Sequence, residues 1–235
     1  MKDSTSVAAI IPAYNASATL EELLERTEPF VDEIVVINDG STDGTGKLLQ
    51  RLSRRSSRLK VIDQPNSGKT AAIRNGIQIS SSDLVVLMDS DLQHIPEEIP
   101  RIIRPIQEGT AEVVVGERNI RSERMPPTRK ISNGLIDHLF YMVTGKRFRD
   151  VQCGFRALRK DRSYLLGDLS EGYLFDVSFL INVCQTNLRM ERVSVSCAYP
   201  DDNLSSFQLA KETPRYFRFF FSQSINRLRR MLNEG

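Results

Sequence analysis

The chain of 235 residues contains no Trp, only two His (His94 and His138) and three Cys (Cys153, Cys184 and Cys197). Two histidines and no Cys-x-x-Cys spacing exclude a zinc site of ordinary ligand composition. An odd, widely spaced set of cysteines is no disulfide framework and is more natural in a reduced, cytosolic setting. Charge of one sign is also lacking: 32 Lys and Arg against 30 Asp and Glu leave a net +2. That excludes a global polycation of the kind that binds nucleic acid without sequence preference. No apolar run approaches the roughly 18–20 residues of a membrane-crossing helix, and Met1 to Ser6 lacks the apolar core of a signal peptide. Any work at a membrane is therefore expected from its surface.

What is present is ordinary for a folded protein. Hydrophobic residues at 40%, with 13 Gly and 10 Pro, exclude collagen-like, low-complexity and mainly disordered chains. The length suits one large α/β domain, with room for a short appendage. Apolar runs at Val7–Ile11, Glu33–Ile37, Leu59–Ile62, Leu84–Met88 and Glu112–Val115 alternate with helical spacing at Ser17–Glu28, Asp43–Arg54, Thr70–Ile79 and Pro96–Glu108. Continuous apolar strands alternating with helices predict a parallel sheet covered on both faces. The second half is less regular. Gly116–Lys130 reads as loop, Ile131–Val143 as helix, Asp150–Lys160 as loop then strand, Phe175–Cys184 as helix and Met190–Val195 as strand. Thr213-Pro214 suits an N-cap and first helical residue. The helix after it carries Phe217, Phe220, Phe221, Ile225, Leu228 and Leu232 on one stripe, flanked by Arg215, Arg218, Arg227, Arg229 and Arg230.

Sheets of this kind bind ligands outside the carboxyl ends of their strands, so the residues just after each strand carry the functional signal. Asp89-Ser90-Asp91 follows Leu84–Met88; two carboxylates there can hold a divalent ion that bridges a diphosphate, or they cap a helix or a solvated turn. Asp39, ahead of Gly40-Ser41-Thr42-Asp43-Gly44-Thr45, can accept a hydrogen bond from a base or serve a turn. Gly68-Lys69-Thr70 is not a Walker A loop, since Asp63 stands where the first glycine belongs; Lys69 near a helix start still suits an anion or a loop carboxylate. No Gly-x-Gly-x-x-Gly follows the first strand, which argues against a dinucleotide-binding Rossmann domain. Arg118, Arg121, Arg124, Arg129 and Lys130 form either a basic loop that clamps phosphates or a solvated surface. The C-terminal stripe suits an in-plane helix on anionic lipid or packing against its own domain.

Taken together these segments resemble family 2 glycosyltransferases of the GT-A fold, and more narrowly the dolichyl- or polyprenyl-phosphate sugar synthases, over about Val7 to Val195. The resemblance implies a Rossmann-like, mostly parallel α/β sheet with helices on both faces. It implies one catalytic domain over residues 1–200, with a nucleotide-sugar half (1–116) and an acceptor half (117–200), and a helical tail over 201–235. Pro12-Ala13-Tyr14-Asn15 resembles the loop flanking the nucleotide base, and Asp39 matches the Asp that contacts that base. Asn66-Ser67-Gly68-Lys69, with Arg74 and Gly76, resembles a third donor motif. Asp89-Ser90-Asp91-Leu92-Gln93-His94 resembles the metal and diphosphate motif, with Asp89, Asp91 and Gln93 on Mg2+ or Mn2+ and Ser90 among the donor contacts. Gly116-Glu117-Arg118-Asn119 carries a phosphate-binding Arg118, while Arg129 and Ser132 fall where an acceptor-phosphate Arg and Ser are expected. Asp150-Val151-Gln152-Cys153-Gly154-Phe155-Arg156 is nearer to the dolichyl-phosphate glucosyltransferase branch than to the mannosyl branch. Thr70, Ser178 and Asn203–Phe207 depart from the family pattern.

The activity so implied is inverting transfer of a hexose from UDP-glucose or GDP-mannose to a dolichyl or polyprenyl phosphate. A peripheral position at the cytoplasmic face of a membrane follows from that acceptor. A phosphate monoester, with a second pKa of about 6, needs a cationic cradle and no strong base; a hydroxyl acceptor would need one, leaving Asp150, Gln152 and Asp176 open as base or acceptor contacts. A hydroxyl-acceptor family 2 transferase of polysaccharide synthesis is the rival within enzymes. A nucleotidyltransferase lacks its Gly-rich, Arg-bearing first loop here. A nucleotide-sugar-binding regulatory subunit is the rival outside enzymes.

Overall fold

The computed structural model describes residues 5–118, 127–167, 169, 172, 174–198 and 215–223, with 127–130 and 132 by their backbone alone. Its centre is a seven-stranded sheet in the order β3-β2-β1-β4-β6-β5-β7. The strands are β1 (Val7–Ala13), β2 (Glu33–Asp39), β3 (Leu59–Gln64), β4 (Leu84–Leu87), β5 (Val113–Arg118), β6 (Arg156–Arg159) and β7 (Met190–Val195). β1 pairs in parallel with β2 and β4, β2 with β3, and β5 with β7. β6 runs antiparallel between β4 and β5.

Period-two alternation divides the strand residues between two layers. Ala8, Ile10, Val35, Ile37, Val85, Leu87, Val113 and Val115 face one core, shared with α3 (Lys69–Ile79), α5 (Pro127–Thr144) and α6 (Leu174–Cys184). Ala9, Ile11, Ile34, Val36, Leu84, Val86 and Val114 face the other, with α1 (Leu20–Thr27), α2 (Thr45–Ser53) and α4 (Ile99–Gln107). Each fully buried Ile, Leu or Val contributes about 1.5–3 kcal/mol over its exposed state. Helices on both faces explain why β1, β2 and β4 read as unbroken apolar runs.

The structure extends or redirects several sequence expectations. β1 continues through Pro12 to Ala13, because β4 pairing ends at Ile10 and Pro12 lies where β1 is an edge on that side. β5 runs on to Arg118, paired with Val195, and α5 starts at Pro127; the expected loop is therefore shorter at both ends, and residues 119–126 lie outside the described set. In 215–223 the expected apolar stripe divides. Tyr216 and Phe220 are buried in the core of α5 and α6, while Phe217 and Phe221 stay exposed. The segment is thus packed against the domain; Ile225, Leu228 and Leu232 are outside the described residues. No helix among those described is long and apolar enough to cross a membrane.

Gly76 lets α3 lie close on the sheet. A Cβ there would stand 2.6 Å from Ile37 Cδ1 and 2.7 Å from Ile10 Cγ2. Gly76→Val is expected to cost about 1–3 kcal/mol through overpacking, read as a fall in Tm of roughly 2–4 °C per kcal/mol for a chain of this size.

Candidate active site

The site is assembled at the carboxyl ends of β1, β2, β3 and β4, where the loops are knitted side chain to backbone. Asn15 adopts a left-handed φ of 51° after β1. Its Oδ1 accepts the Thr42 amide at 2.8 Å, and its own amide donates to Ser41 Oγ at 3.0 Å. Neighbouring Tyr14 is left half exposed at the rim, while Ala13 is buried. Asp39 closes β2 and clasps the next loop: its carboxylate accepts Gln64 Nε2 at 2.7 Å, the Ser67 amide at 2.8 Å and the Gly68 amide at 2.9 Å. Gly40, with φ +71°, passes so near Asn66 that a Cβ would lie 2.5 Å from its amide nitrogen. Thr19 Oγ1 donates to the Ser90 carbonyl at 2.6 Å, tying the first loop to the acidic triplet.

Asp89 and Asp91 differ in environment. Lys69 Nζ, from the first turn of α3, stands 2.6 Å from Asp89 Oδ1 and 3.4 Å from Asp176 Oδ2 on α6. Burial opposes ionisation of Asp89, but the Lys69 ammonium together with His94 and Arg118 outweighs it and holds the carboxyl at about 2. The other oxygen of Asp89 closes on Gly154, where a Cβ would lie 2.6 Å away. The Asp89 amide donates to His94 Nδ1 at 3.2 Å, and the buried His94 ring stacks on Phe155. Asp91 accepts the Gln93 amide at 3.0 Å, and Gln93 accepts the Ala198 amide at 3.0 Å through its carbonyl. Burial and the Asp89 charge push the Asp91 carboxyl upward. A cation would relieve that cost, so Asp91 fits a divalent ion. Among the described residues no three His, Cys, Asp or Glu side chains gather as a ready cluster. An ion of the Mg2+ or Mn2+ type needs none, since one or two carboxylates suffice when phosphate oxygens and water complete the shell.

The second half supplies two further charge pairs. Arg118 forks onto Asp150, Nε to Oδ2 at 2.5 Å and Nη2 to Oδ1 at 3.0 Å. Asp150 also accepts the Arg118 amide at 3.3 Å and the Gln152 amide at 3.2 Å. Fully buried and with four accepted bonds, Asp150 anchors Arg118. Arg156 is fully buried as well. It lies 4.8 Å over the Phe179 ring, donates to the Cys153 carbonyl at 2.9 Å, and reaches Asp176 Oδ1 at 3.4 Å. Asp176 is therefore held between two cations. Gln152 donates to Tyr216 Oη at 2.9 Å and so joins the domain to 215–223. Arg129 and Ser132 lie on α5 near its start; their side chains are outside the described set. Burial pushes the Cys153 thiol up to about 12, which leaves it unreactive.

Among the expected residues, the structure brings Asn15, Asp39, Gly68, Lys69, Asp89, Ser90, Asp91, Gln93 and Asp176 to one sheet edge. Three contributors carried no predicted role. Arg156 and His94 were visible only as letters within motifs, and Asp137 showed no signal beyond a helical position. Asp137 accepts the Val151 amide at 3.0 Å.

Similarity to known proteins agrees with this geometry. The model for glycosyl transferase family 2 matches residues 8–164, well over half of the chain. An uncharacterized protein from Methanocaldococcus jannaschii is 28% identical over 211 residues, covering 84% of this chain and 90% of that one. The undecaprenyl-phosphate 4-deoxy-4-formamido-L-arabinose transferase of Pseudomonas aeruginosa is 39% identical over 163 residues, covering 66% of this chain and 47% of the relative. The chain thus spans about half the length of that transferase. Glucosyl-3-phosphoglycerate synthase from Mycobacterium tuberculosis, solved with Mn2+, UDP and glucosyl-3-phosphoglycerate, superposes with a TM-score of 0.71 at 21% identity, over 96% of this chain and 81% of that one. A mannosyltransferase from Pyrobaculum calidifontis, solved with GDP-Man and Mn2+, gives 0.66 at 17% identity, over 94% and 64% of the two chains. The fold is the GT-A, Rossmann-like arrangement of a mostly parallel sheet between helices. The chain belongs to glycosyltransferase family 2 and is a glycosyltransferase.

Burial lifts the Asp137 carboxyl, and the Asp150 charge adds to it, to about 7. The unfolded value is about 3.9, so the native state holds this proton more tightly than the unfolded chain. Its contribution to stability is complete below about pH 4 and is lost as pH rises through 7. Urea unfolding between pH 4 and 8 should record that loss in the wild type and a flatter profile in Asp137→Asn.

Proposed function

We propose that this glycosyltransferase moves a hexose from a nucleotide-diphosphate sugar to a polyprenyl phosphate, working at the cytoplasmic face of a membrane. The observation that carries the acceptor is the 39% identity to an undecaprenyl-phosphate sugar transferase across 163 residues. In this reading the phosphate attacks the anomeric carbon in line with the departing nucleoside diphosphate and inverts its configuration. A divalent ion, when bound at Asp91, supplies positive charge to the leaving diphosphate. The protein's own part is electrostatic. Lys69 and the Asp150-anchored Arg118 are partly buried cations beside the acidic triplet, placed to meet the charge that develops on the leaving diphosphate. Tyr14 and Asn15 flank the base, Asp39 orients the Gly68 loop toward the donor, and Arg129 with Ser132 cradle the acceptor phosphate.

The carboxylates support a phosphate acceptor. Asp150 pairs with Arg118 and Asp176 with Lys69 and Arg156, so the two carboxylates a hydroxyl acceptor was expected to use both carry cations, which supports the phosphate reading. One observation favours the second reading. Asp137 accepts the Val151 amide in the segment that follows Asp150, and burial lifts its carboxyl toward neutrality, the range suited to a general base.

A donor panel decides between them. UDP- and GDP-sugars are offered with polyprenyl phosphate or a soluble sugar acceptor, and nucleoside diphosphate release is followed with Mn2+, with Mg2+ and with chelator. The expected result is metal-dependent release with the lipid phosphate, lowered at least ~100-fold in Asp91→Ala and little changed in Asp137→Asn. Release confined to the sugar acceptor and abolished in Asp137→Asn would transfer the assignment to the hydroxyl reading.

A lipid acceptor requires contact with its bilayer. Phe217 and Phe221 are exposed at 47% and 69%, beside exposed Arg215 and Arg218. Aromatic residues interleaved with arginine suit an anionic interface. The double change Phe217→Ser and Phe221→Ser should lower co-sedimentation with anionic liposomes several-fold and leave donor binding intact.

A further inference from the structure

Four charges alternate from the acidic triplet inward: Asp89, Lys69, Asp176 and Arg156. Lys69 Nζ lies 2.6 Å from Asp89 and 3.4 Å from Asp176, with the Phe175 ring centroid 5.5 Å away. Arg156 stands behind Asp176 at 3.4 Å. Asp89 is paired with Lys69 at Oδ1, and its Oδ2 lies so near Gly154 that a Cβ there would stand 2.6 Å away. Asp91 takes only the Gln93 amide among the described residues. The first carboxylate of the triplet is thus neutralised by the protein's own ammonium, and the second is left for an incoming cation.

We propose that Lys69 is the internal counter-ion of Asp89, and that Asp176, backed by Arg156, is the positioning residue that sets where this ammonium rests. The proposal rests on the reading of the triplet as a divalent-cation and diphosphate site. While Lys69 sits on Asp89 it repels a cation arriving at the triplet and takes up charge that the cation would use. The anionic oxygens of a nucleoside diphosphate offer Lys69 another partner, and as Lys69 turns to them Asp89 regains its charge. Nucleotide therefore strengthens divalent-cation binding, and the cation strengthens nucleotide binding by the same factor. Asp176 shares Lys69 with Asp89 and so moderates the competition.

The two residues give changes of opposite sign, which separates this device from simple structural damage. Mn2+ binding to the full chain is measured by electron paramagnetic resonance, without nucleotide and with saturating UDP or GDP. Without nucleotide, Lys69→Met should tighten Mn2+ binding about tenfold, and the gain from adding nucleotide should shrink by a similar factor. Lys69→Arg should behave as wild type. Asp176→Asn leaves Lys69 wholly to Asp89 and should weaken Mn2+ binding without nucleotide. Unchanged or weaker binding in Lys69→Met, or a shift of both variants in one direction, overturns the proposal. Wild-type Mn2+ binding by Asp91→Ala in the presence of nucleotide would instead overturn the cation reading beneath it, and the proposal with it.

Discussion

A lysine ammonium caught between two carboxylates links the halves of this protein. Lys69 belongs to α3, Asp89 to the end of β4 and Asp176 to α6, so one side chain fastens the regular β/α half to the half that follows the antiparallel β6. At a separation of 4 Å and an effective dielectric of 20, such a pair is worth about 4 kcal/mol before desolvation is subtracted. Lys69 and Asp89 stay partly exposed, so solvent screens their pair, whereas Asp176 is buried, and removing the partner of a buried charge typically costs about 3–5 kcal/mol. The buried Arg156 depends on Asp176 in the same way.

That constraint assigns the acidic residues to different tasks. Asp39 spends its carboxylate on the amides of Ser67 and Gly68 and on Gln64, fixing the loop that delivers Lys69. Asp150 is saturated by Arg118 and the Gln152 amide. Asp176 is shared between Lys69 and Arg156. Asp91 alone of this group has neither an ion pair nor a full set of donors among the described residues. Three of the site's carboxylates, Asp89, Asp150 and Asp176, are thus paired with lysine or arginine, which leaves Asp91 as the open acid of the triplet.

Much of the fold was legible because a strand buried on both faces must be apolar at every position. The runs at Val7, Glu33 and Leu84 followed from that, the edge strand at Leu59 kept only part of the pattern, and helical spacing placed α1 to α4. The antiparallel sense of β6 was not legible, since periodicity carries no direction. The division of Tyr216 and Phe220 from Phe217 and Phe221 was hidden for a related reason: two overlapping apolar stripes on one helix look like one until a neighbour selects between them. In the site, Asp89, Asp91 and Lys69 stood out because polar residues directly after apolar runs must emerge at the ligand edge of a parallel sheet. Arg156 and His94 did not, because a buried cation and a stacked imidazole announce themselves only through their partners.

By itself the sequence determined the β/α alternation of the first half, the sheet edge where its loops emerge and the residue types gathered there, since these depend on short-range pattern and on a general property of β/α connections. Which carboxylate meets which cation was decided by tertiary structure alone. Asp150 and Asp176 are equally plausible bases as letters. One pairs with an arginine 32 residues away and the other with a lysine 107 residues away, and only folding sets those distances.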